Sequence, residues 1–505
     1  MQAQQAVTTN FHAHAGGKSA TRWLLPLCVG VGAYLFCFFM GDLLLQDSDS
    51  FWQIKVGRWI IDHRSVPFTD IYSLMHTGES WISNAWLSQV LYAAVYAPFG
   101  WPGPVVLTAL AIGMTMAIFV FLLDQYFEPA HSVLLAMLAL VLSFHHLLAR
   151  PHVLALPVMV AWVGAMMSAA DRRTYPSVFV LPLMSLWASL HGGFVLGLAL
   201  IGPIGLEAVW SAAPRERIAL AARWALFAVG AVVASCCTPY GWYALLAASR
   251  ILELGQLLSV ISEWQPQDFS SLTLFELSVL GLIALGFYRS VVLSIPRILL
   301  LLLLVYMALT HVRSIEAFAF LTPLALAKPF ATRQAPADPV NAWARDFWTL
   351  PHVPALTVAI VVGCASASTL AYADHHQFAF TKRQTPAAAL DVIERHGLKR
   401  IFNAYAFGGY MISRDIPPFI DGRAELYGEK FVMTYFRAVE GRRIDDLVGM
   451  LDEYHIEATL LAPDSPAARI LDRTPGWQRL YSDDVAVVHI RTAPASPPLL
   501  APAHP

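Results

Sequence analysis

Apolar residues run through this chain in blocks of about 17–25, the length at which a helix spans a bilayer core. Such blocks lie near 23–45, 103–124, 131–148, 152–170, 175–191, 194–211, 219–237, 272–288, 291–310, 314–331 and 352–372. They predict a polytopic α-helical membrane protein with roughly eleven transmembrane helices. Two shorter stretches, near 51–62 and 84–98, are too brief or too mixed to cross. They predict amphipathic helices lying on the membrane surface between the first and second spans, and 242–261 has the same character. Past residue 373 the pattern changes. Short β-rich runs ("RIFNAY", "PFIDGR", "ATLLAP", "VAVVHIR") alternate with helical patterns near 385–396, 428–440 and 444–455. That alternation predicts a small α/β domain. The expected layout is a tail over 1–22, a transmembrane domain over 23–372 with a first outer loop at 46–102, an α/β domain over 373–495, and a Pro/Ala-rich disordered tail over 496–505. No internal repeat is visible.

Composition agrees with the pattern. The 505 residues are 57% hydrophobic and only 13% charged, with mean hydropathy +0.55. A soluble domain carries about 25% charged residues. Net charge is −2 and no long basic run exists, so nothing points to a nucleic-acid partner. Cys28, Cys37, Cys236, Cys237 and Cys364 all fall in apolar runs without metal-ligand spacing, and they read as small apolar fillers. The first apolar run is too long for a signal-peptide core and lacks a small-residue cleavage site, which predicts a retained span. Lys18 and Arg22 precede span one. Arg172 and Arg173 follow span four, Arg215, Arg217 and Arg223 follow span six, Arg289 follows span eight, and Lys328, Arg333 and Arg345 follow span ten. With eleven spans these all share one side, which the positive-inside rule makes cytoplasmic. The N-terminus is then inside and the α/β domain outside.

The opposite side gathers a different set. The first outer loop opens on "LLLQDSDSFWQ", with Asp42, Asp47 and Asp49, and adds Asp70 and Glu79. Later outer loops supply His145, His146, Arg150 and His152 from "HHLLARPH", His191 from "LHGGF", Glu263, Trp264 and Asp268 from "SEWQPQDF", and His311, Arg313 and Glu316 from "THVRSIEAF". Ionisable groups at membrane depth are costly and usually line a cavity, so this crowding predicts an outward-facing active site. Arginine offers a planar fork to phosphate oxygens. A carboxylate can deprotonate an acceptor hydroxyl or hold a metal that neutralises a leaving phosphate. Trp264, Trp81 and Trp86 have faces on which a sugar can stack.

On these residues the chain resembles the GT-C class of integral-membrane glycosyltransferases. The likeness rests on an Asp-x-Asp just after the first span, surface helices in a long first outer loop, about eleven spans and a C-terminal outer domain. The stretch from Asp47 to Gln89, with its P-x-x-D-x-Y-S and G-x-x-W…W-L pieces, is similar to a large group of uncharacterised bacterial membrane proteins of that class. So are "RPH", "HGGF" and "FNAYAFGGYMISRDIPPFIDGRAELYG". The resemblance implies an enzyme of the bacterial inner membrane that moves a sugar from a polyprenyl-phosphate-linked donor to a lipid, glycan or protein acceptor of the cell envelope. Membrane lipids are its other partners. It implies Asp47 and Asp49 as catalytic carboxylates, Asp49 as the position for a divalent ion (Mg or Mn) if one is used, and Arg150, His152, His191, Glu263, Trp264, His311 and Arg313 as substrate-binding residues.

Plainer readings compete. Asp47 and Asp49 can be a helix cap, Arg150 and Arg313 can snorkel to headgroups, His145 and His146 can be interface histidines, Glu263 an ordinary loop charge, and "HGG" a tight connection. "GGY" and "DGR" read as turns; Asn403, Asp421, Arg423 and Glu425 read as a framework or as a sugar- or partner-binding edge. A transporter or flippase for a lipid-linked saccharide, or an assembly protein that has lost catalysis, are the alternatives at the level of function. Transporters commonly carry repeats and midspan charges, and neither is evident here.

Overall fold

The computed structural model describes residues 23–252, 255, 262–331, 355–441 and 444–492. The tails at 1–22 and 496–505, with Lys18 and Arg22, lie outside them, as do Arg333, Arg345 and most of 253–261. The chain divides into two compact units. One comprises 1–41, 102–245 and 261–377; the other comprises 42–101, 246–260 and 378–505. The first outer loop thus belongs to the same unit as the C-terminal α/β domain.

The first unit is helical and is that of a multi-pass membrane protein. Each of the eleven apolar blocks carries helix. Among the described residues, five helices are long and apolar enough to cross a membrane by length and composition: Pro102–Leu123, Pro129–His146, Pro151–Asp171, Arg217–Ser235 and Val358–His375. Leu24–Phe39, Val178–Leu190, Phe194–Trp210 and Ile295–Thr310 are shorter apolar helices. Small residues let these helices approach closely. A Cβ added at Gly30 would sit 2.8 Å from both the Ala117 Cβ and the Gly113 carbonyl, so Leu24–Phe39 and Pro102–Leu123 meet backbone to backbone. Tyr34 and Thr369 then join hydroxyl to hydroxyl at 2.7 Å, linking the first helix to Ala355–His375.

At one end of this unit basic residues enter a buried network. Arg297 is buried and donates to Asp171 Oδ1 at 2.7 Å, with Glu207 Oε1 3.3 Å from its Nε. Lys328 donates to the Asp171 carbonyl, Tyr126 to Asp171 Oδ2 at 3.2 Å, and Ser294 to Glu207. Charges withdrawn from water persist when paired and hydrogen-bonded. This network ties the ends of four helices together, and part of the basic bias at that end is therefore structural.

The second unit holds a four-stranded sheet in the order β1 (Ile401–Asn403), β2 (Ala458–Leu461), β4 (Val487–Arg491), β3 (Trp477–Ser482). β1 pairs parallel with β2, Ile401 opposite Ala458; β4 runs antiparallel to both β2 and β3. The parallel pair needs a crossover, supplied by Gly408–Ser413, Ala424–Val439 and Ile444–Glu453. β3 and β4 form a hairpin whose turn is held by the Asp483 carboxylate, which accepts the Val485 and Ala486 N–H groups at 2.8 Å each. Leu390, Ile393, Ile401, Phe407, Met411, Leu460 and Val488 form its core.

Two expectations fail here for visible reasons. "PFIDGR" is not a strand: the buried Asn403 side chain takes the place of a ladder, its Oδ1 accepting the Phe419 N–H at 2.8 Å and its Nδ2 donating to the Ile420 carbonyl at 2.8 Å. "GGY" is not a turn but opens the helix Gly408–Ser413, where a Cβ on Gly408 would overlap the Ile420 carbonyl and one on Gly409 the Ser48 carbonyl.

The first outer loop contributes two helices to this unit, Asp49–His63 and Trp86–Phe99. They cross where Gly57 lies against the Gln89 carbonyl, and Gln89 donates to Gln53 and Ser83 at 2.7 Å each. The loop is fastened to the C-terminal segment by Arg423, which is 1% exposed. Arg423 forks onto Asp421 (Nε to Oδ1 2.8 Å, Nη2 to Oδ2 2.7 Å) and donates from Nη1 to Asp70. The Trp81 ring lies 4.9 Å from its guanidinium carbon and Tyr427 adds a hydrogen bond to Asp421. Burial alone would raise the Asp70 carboxyl; Arg423 and Ser73 outweigh it and hold the group below the usual carboxylate range. Asn403, Asp421 and Arg423 are framework here, not an exposed edge.

Candidate active site

The helical unit brings together all seven residues expected to bind substrate. Arg150 caps the start of Pro151–Asp171, and His152 lies in its first turn. His191 ends Leu181–Leu190, Glu263 and Trp264 lie on a short turn, and His311 and Arg313 fill the link between Ile295–Thr310 and Ile315–Ala331. These are the helix ends opposite the Asp171–Arg297 network. The 21 residues of Pro151–Asp171 separate the two ends by about 30 Å, the thickness of a bilayer core.

Backbone pairing positions the loops. The Val312 N–H donates to the Gln265 carbonyl and the Gln267 N–H to the Leu309 carbonyl, each at 3.1 Å. This places Arg313 over the Trp264 ring, 4.4 Å from its centroid, with His311 edge-on to the same ring at 5.5 Å. Arg150 donates to Glu263, whose side chain is 28% exposed. Burial works against charge on Glu263, but Arg150 and Arg313 outweigh it and hold its carboxyl below the ordinary range. Burial pulls Arg313 below its own ordinary range, with Glu263 pulling the other way. Its guanidinium makes no hydrogen bond to a described residue. It is a cation oriented by an indole, with Glu263 and Glu316 acting on it through space.

The histidines are held by backbone groups, and that fixes their protons. The His191 Nδ1 accepts the Gly193 N–H at 3.0 Å, so the proton of the ring is on Nε2. A Cβ on Gly193 would sit 2.9 Å from that nitrogen, which explains a glycine in "HGGF". His152 Nε2 lies 2.7 Å from the His146 carbonyl and must donate to it. The two rings are 6.1 Å apart.

Asp47 and Asp49 belong to the other unit. The Asp47 Oδ1 accepts the Asp49 N–H at 2.8 Å, just before the Asp49–His63 helix begins, so this carboxylate closes the helix start. The Asp49 Oδ1 accepts the Trp52 indole N–H at 3.0 Å, and its carboxylate lies where a Cβ on Gly422 would stand. Both side chains are half-buried. Among the described residues no group of three His, Cys, Asp or Glu side chains is placed to hold a metal ion. Mg- or Mn-type ions bind through one or two carboxylates together with waters and substrate phosphates, and Asp49 with Asp47 would be the residues to hold one.

Glu316, noted in the sequence but given no role there, is part of the helical cluster. It is 7% exposed, and its Oε2 is 3.9 Å from His152 Nε2. The signal that singles it out is a carboxylate three residues past Arg313 at the head of an apolar run, where burial is expensive.

No protein-family model and no curated protein matches the sequence. Among solved structures, the chain is similar to the Archaeoglobus fulgidus oligosaccharyltransferase in its apo form, with 12% identity, a TM-score of 0.48, and coverage of 85% of this chain and 69% of that one. It is also similar to the archaeal oligosaccharyltransferase AglB from Archaeoglobus fulgidus in complex with an inhibitory peptide and a dolichol-phosphate, with 9% identity, a TM-score of 0.46 and the same coverage. Likeness at that level assigns no role to any residue of this chain.

Proposed function

We propose that the chain is a GT-C-like membrane glycosyltransferase. It moves a sugar from a polyprenyl-phosphate-linked donor to a lipid, glycan or protein acceptor on the outer face of the bacterial inner membrane. The observation that carries this reading is Arg313, stacked on Trp264 and without a hydrogen-bonding anion among the described residues, beside the Arg150–Glu263 pair. Two guanidiniums at the end of apolar helices suit a phosphate whose lipid tail stays in the bilayer. In the transfer the acceptor oxygen attacks the anomeric carbon as the bond from that carbon to the phosphate oxygen breaks. The polyprenyl phosphate leaves with the electron pair, its charge met by Arg313 and Arg150. Asp47 or Asp49 takes the acceptor proton. The bias of Lys and Arg toward the opposite loops supports the outward orientation. Ionisable side chains of the helical unit gather toward helix ends, which favours an enzyme over a flippase with midspan charges.

The test is binding of bare polyprenyl phosphate to the full chain in nanodiscs. Arg313→Lys keeps the charge but loses the planar fork and the stack, so affinity is expected to fall about tenfold or more. Arg172→Lys, at the far helix end, should bind as wild type does. Equal losses, or none at Arg313, would refute the phosphate site.

A further inference from the structure

One buried group in the cluster has no use in the scheme above. Glu316 Oε1 is buried and has no hydrogen-bond partner among the described residues. Its Oε2, 3.9 Å from His152 Nε2, is beyond hydrogen-bond reach, and that N–H is already given to the His146 carbonyl. The start of Ile315–Ala331 tolerates an anion there, yet no N–H group of the described residues bonds this oxygen. A bare buried carboxylate oxygen is costly, so its donor is to be sought in a ligand. The surroundings say which kind. With Nε2 protonated on both rings, neutral His191 offers a donor and neutral His152 keeps an acceptor at Nδ1. Glu316 adds a second acceptor, and Arg313, three residues away in sequence, is the open cation. Side chains that both donate and accept, beside a phosphate site, fit a polyhydroxyl group joined to a phosphate.

We propose that Glu316 is a specificity-determining contact for the glycosyl group of the donor. Its Oε1 accepts a sugar hydroxyl, and His191 and His152 supply a donor and an acceptor beside it. This rests on the lipid-linked donor reading, and the two are separated by comparing ligands. Affinities of the full chain in nanodiscs are measured for bare polyprenyl phosphate and for polyprenyl phosphates carrying glucose, mannose, galactose or a pentose. Wild type is expected to prefer at least one glycosylated lipid over the bare one by about tenfold or more. Glu316→Ala and Glu316→Leu, neither of which has an acceptor, should abolish that preference; the readout is the ratio of glycosylated- to bare-lipid affinity, from which any change common to both ligands cancels. Should Glu316→Ala fail to accumulate, Glu316→Leu, which keeps most of the volume and has no acceptor, decides. Preference retained in the variants, or absent from wild type that still binds bare lipid through Arg313, overturns the Glu316 contact while the donor reading stands. Failure of wild type to bind the bare lipid overturns both.

Discussion

Asparagine at Asp47 or at Asp49 is expected to yield protein that inserts and accumulates normally while at least one of the two loses about 10²–10⁴-fold in transfer, the contribution of a general base. The structure makes this substitution clean. Asp47 accepts the Asp49 N–H and Asp49 accepts the Trp52 indole N–H; an amide oxygen does both, and Asn caps a helix about as well as Asp. What disappears is the charge able to take a proton. Asp62→Asn, an exposed position 3.8 Å from Arg58, should stay fully active. Full activity in both Asn variants would reduce the pair to a helix start and remove the proposed base.

Arg423→Met is expected to destabilise the unit formed by 42–101 and 378–492 by about 3–5 kcal/mol, because it strands Asp70 and Asp421 without their shared cation. Hydrogen exchange on the full chain reads this directly. Amides of Asp49–His63 and of β2 should lose protection, while those of Pro151–Asp171 should not. Arg414→Met, whose partners Asp391 and Glu394 are exposed, should cost less than about 1 kcal/mol. The effect has a pH signature. Asp70 is held below its unfolded value of about 3.9, so its share of stability is present above that value and is lost as pH falls through the folded one. Unchanged protection in Arg423→Met would mean the loop is held to the domain by apolar packing alone.

Hydropathy made the helical unit legible because bilayer thickness forces long apolar blocks, and each block carries helix. The gathering of Arg150, Glu263 and Arg313 was legible too, since charges placed at loop mouths in a greasy chain have few places to go. What single-chain patterns could not show were pairings between distant segments. Arg423 reads as a turn residue in "DGR" until Asp70, 353 positions earlier, is placed beside it. "PFIDGR" has strand composition, but one buried amide, Asn403, supplies the partners that a ladder would have supplied. Lys328 reads as a basic topology marker until its ammonium is seen to donate to the Asp171 carbonyl. Glu316 was visible as a residue, yet its importance lies in an oxygen without a partner, which only coordinates reveal.

The most direct measurement follows a labelled polyprenyl-phosphate sugar in right-side-out membrane vesicles containing the full chain, with a membrane-impermeant acceptor extract supplied outside. A glycosyltransferase facing outward moves the label onto that acceptor and releases bare polyprenyl phosphate in equal amount, and Arg313→Lys slows both together. Label that crosses the bilayer still attached to its lipid, with no bare polyprenyl phosphate released, would contradict the transferase and point to a flippase.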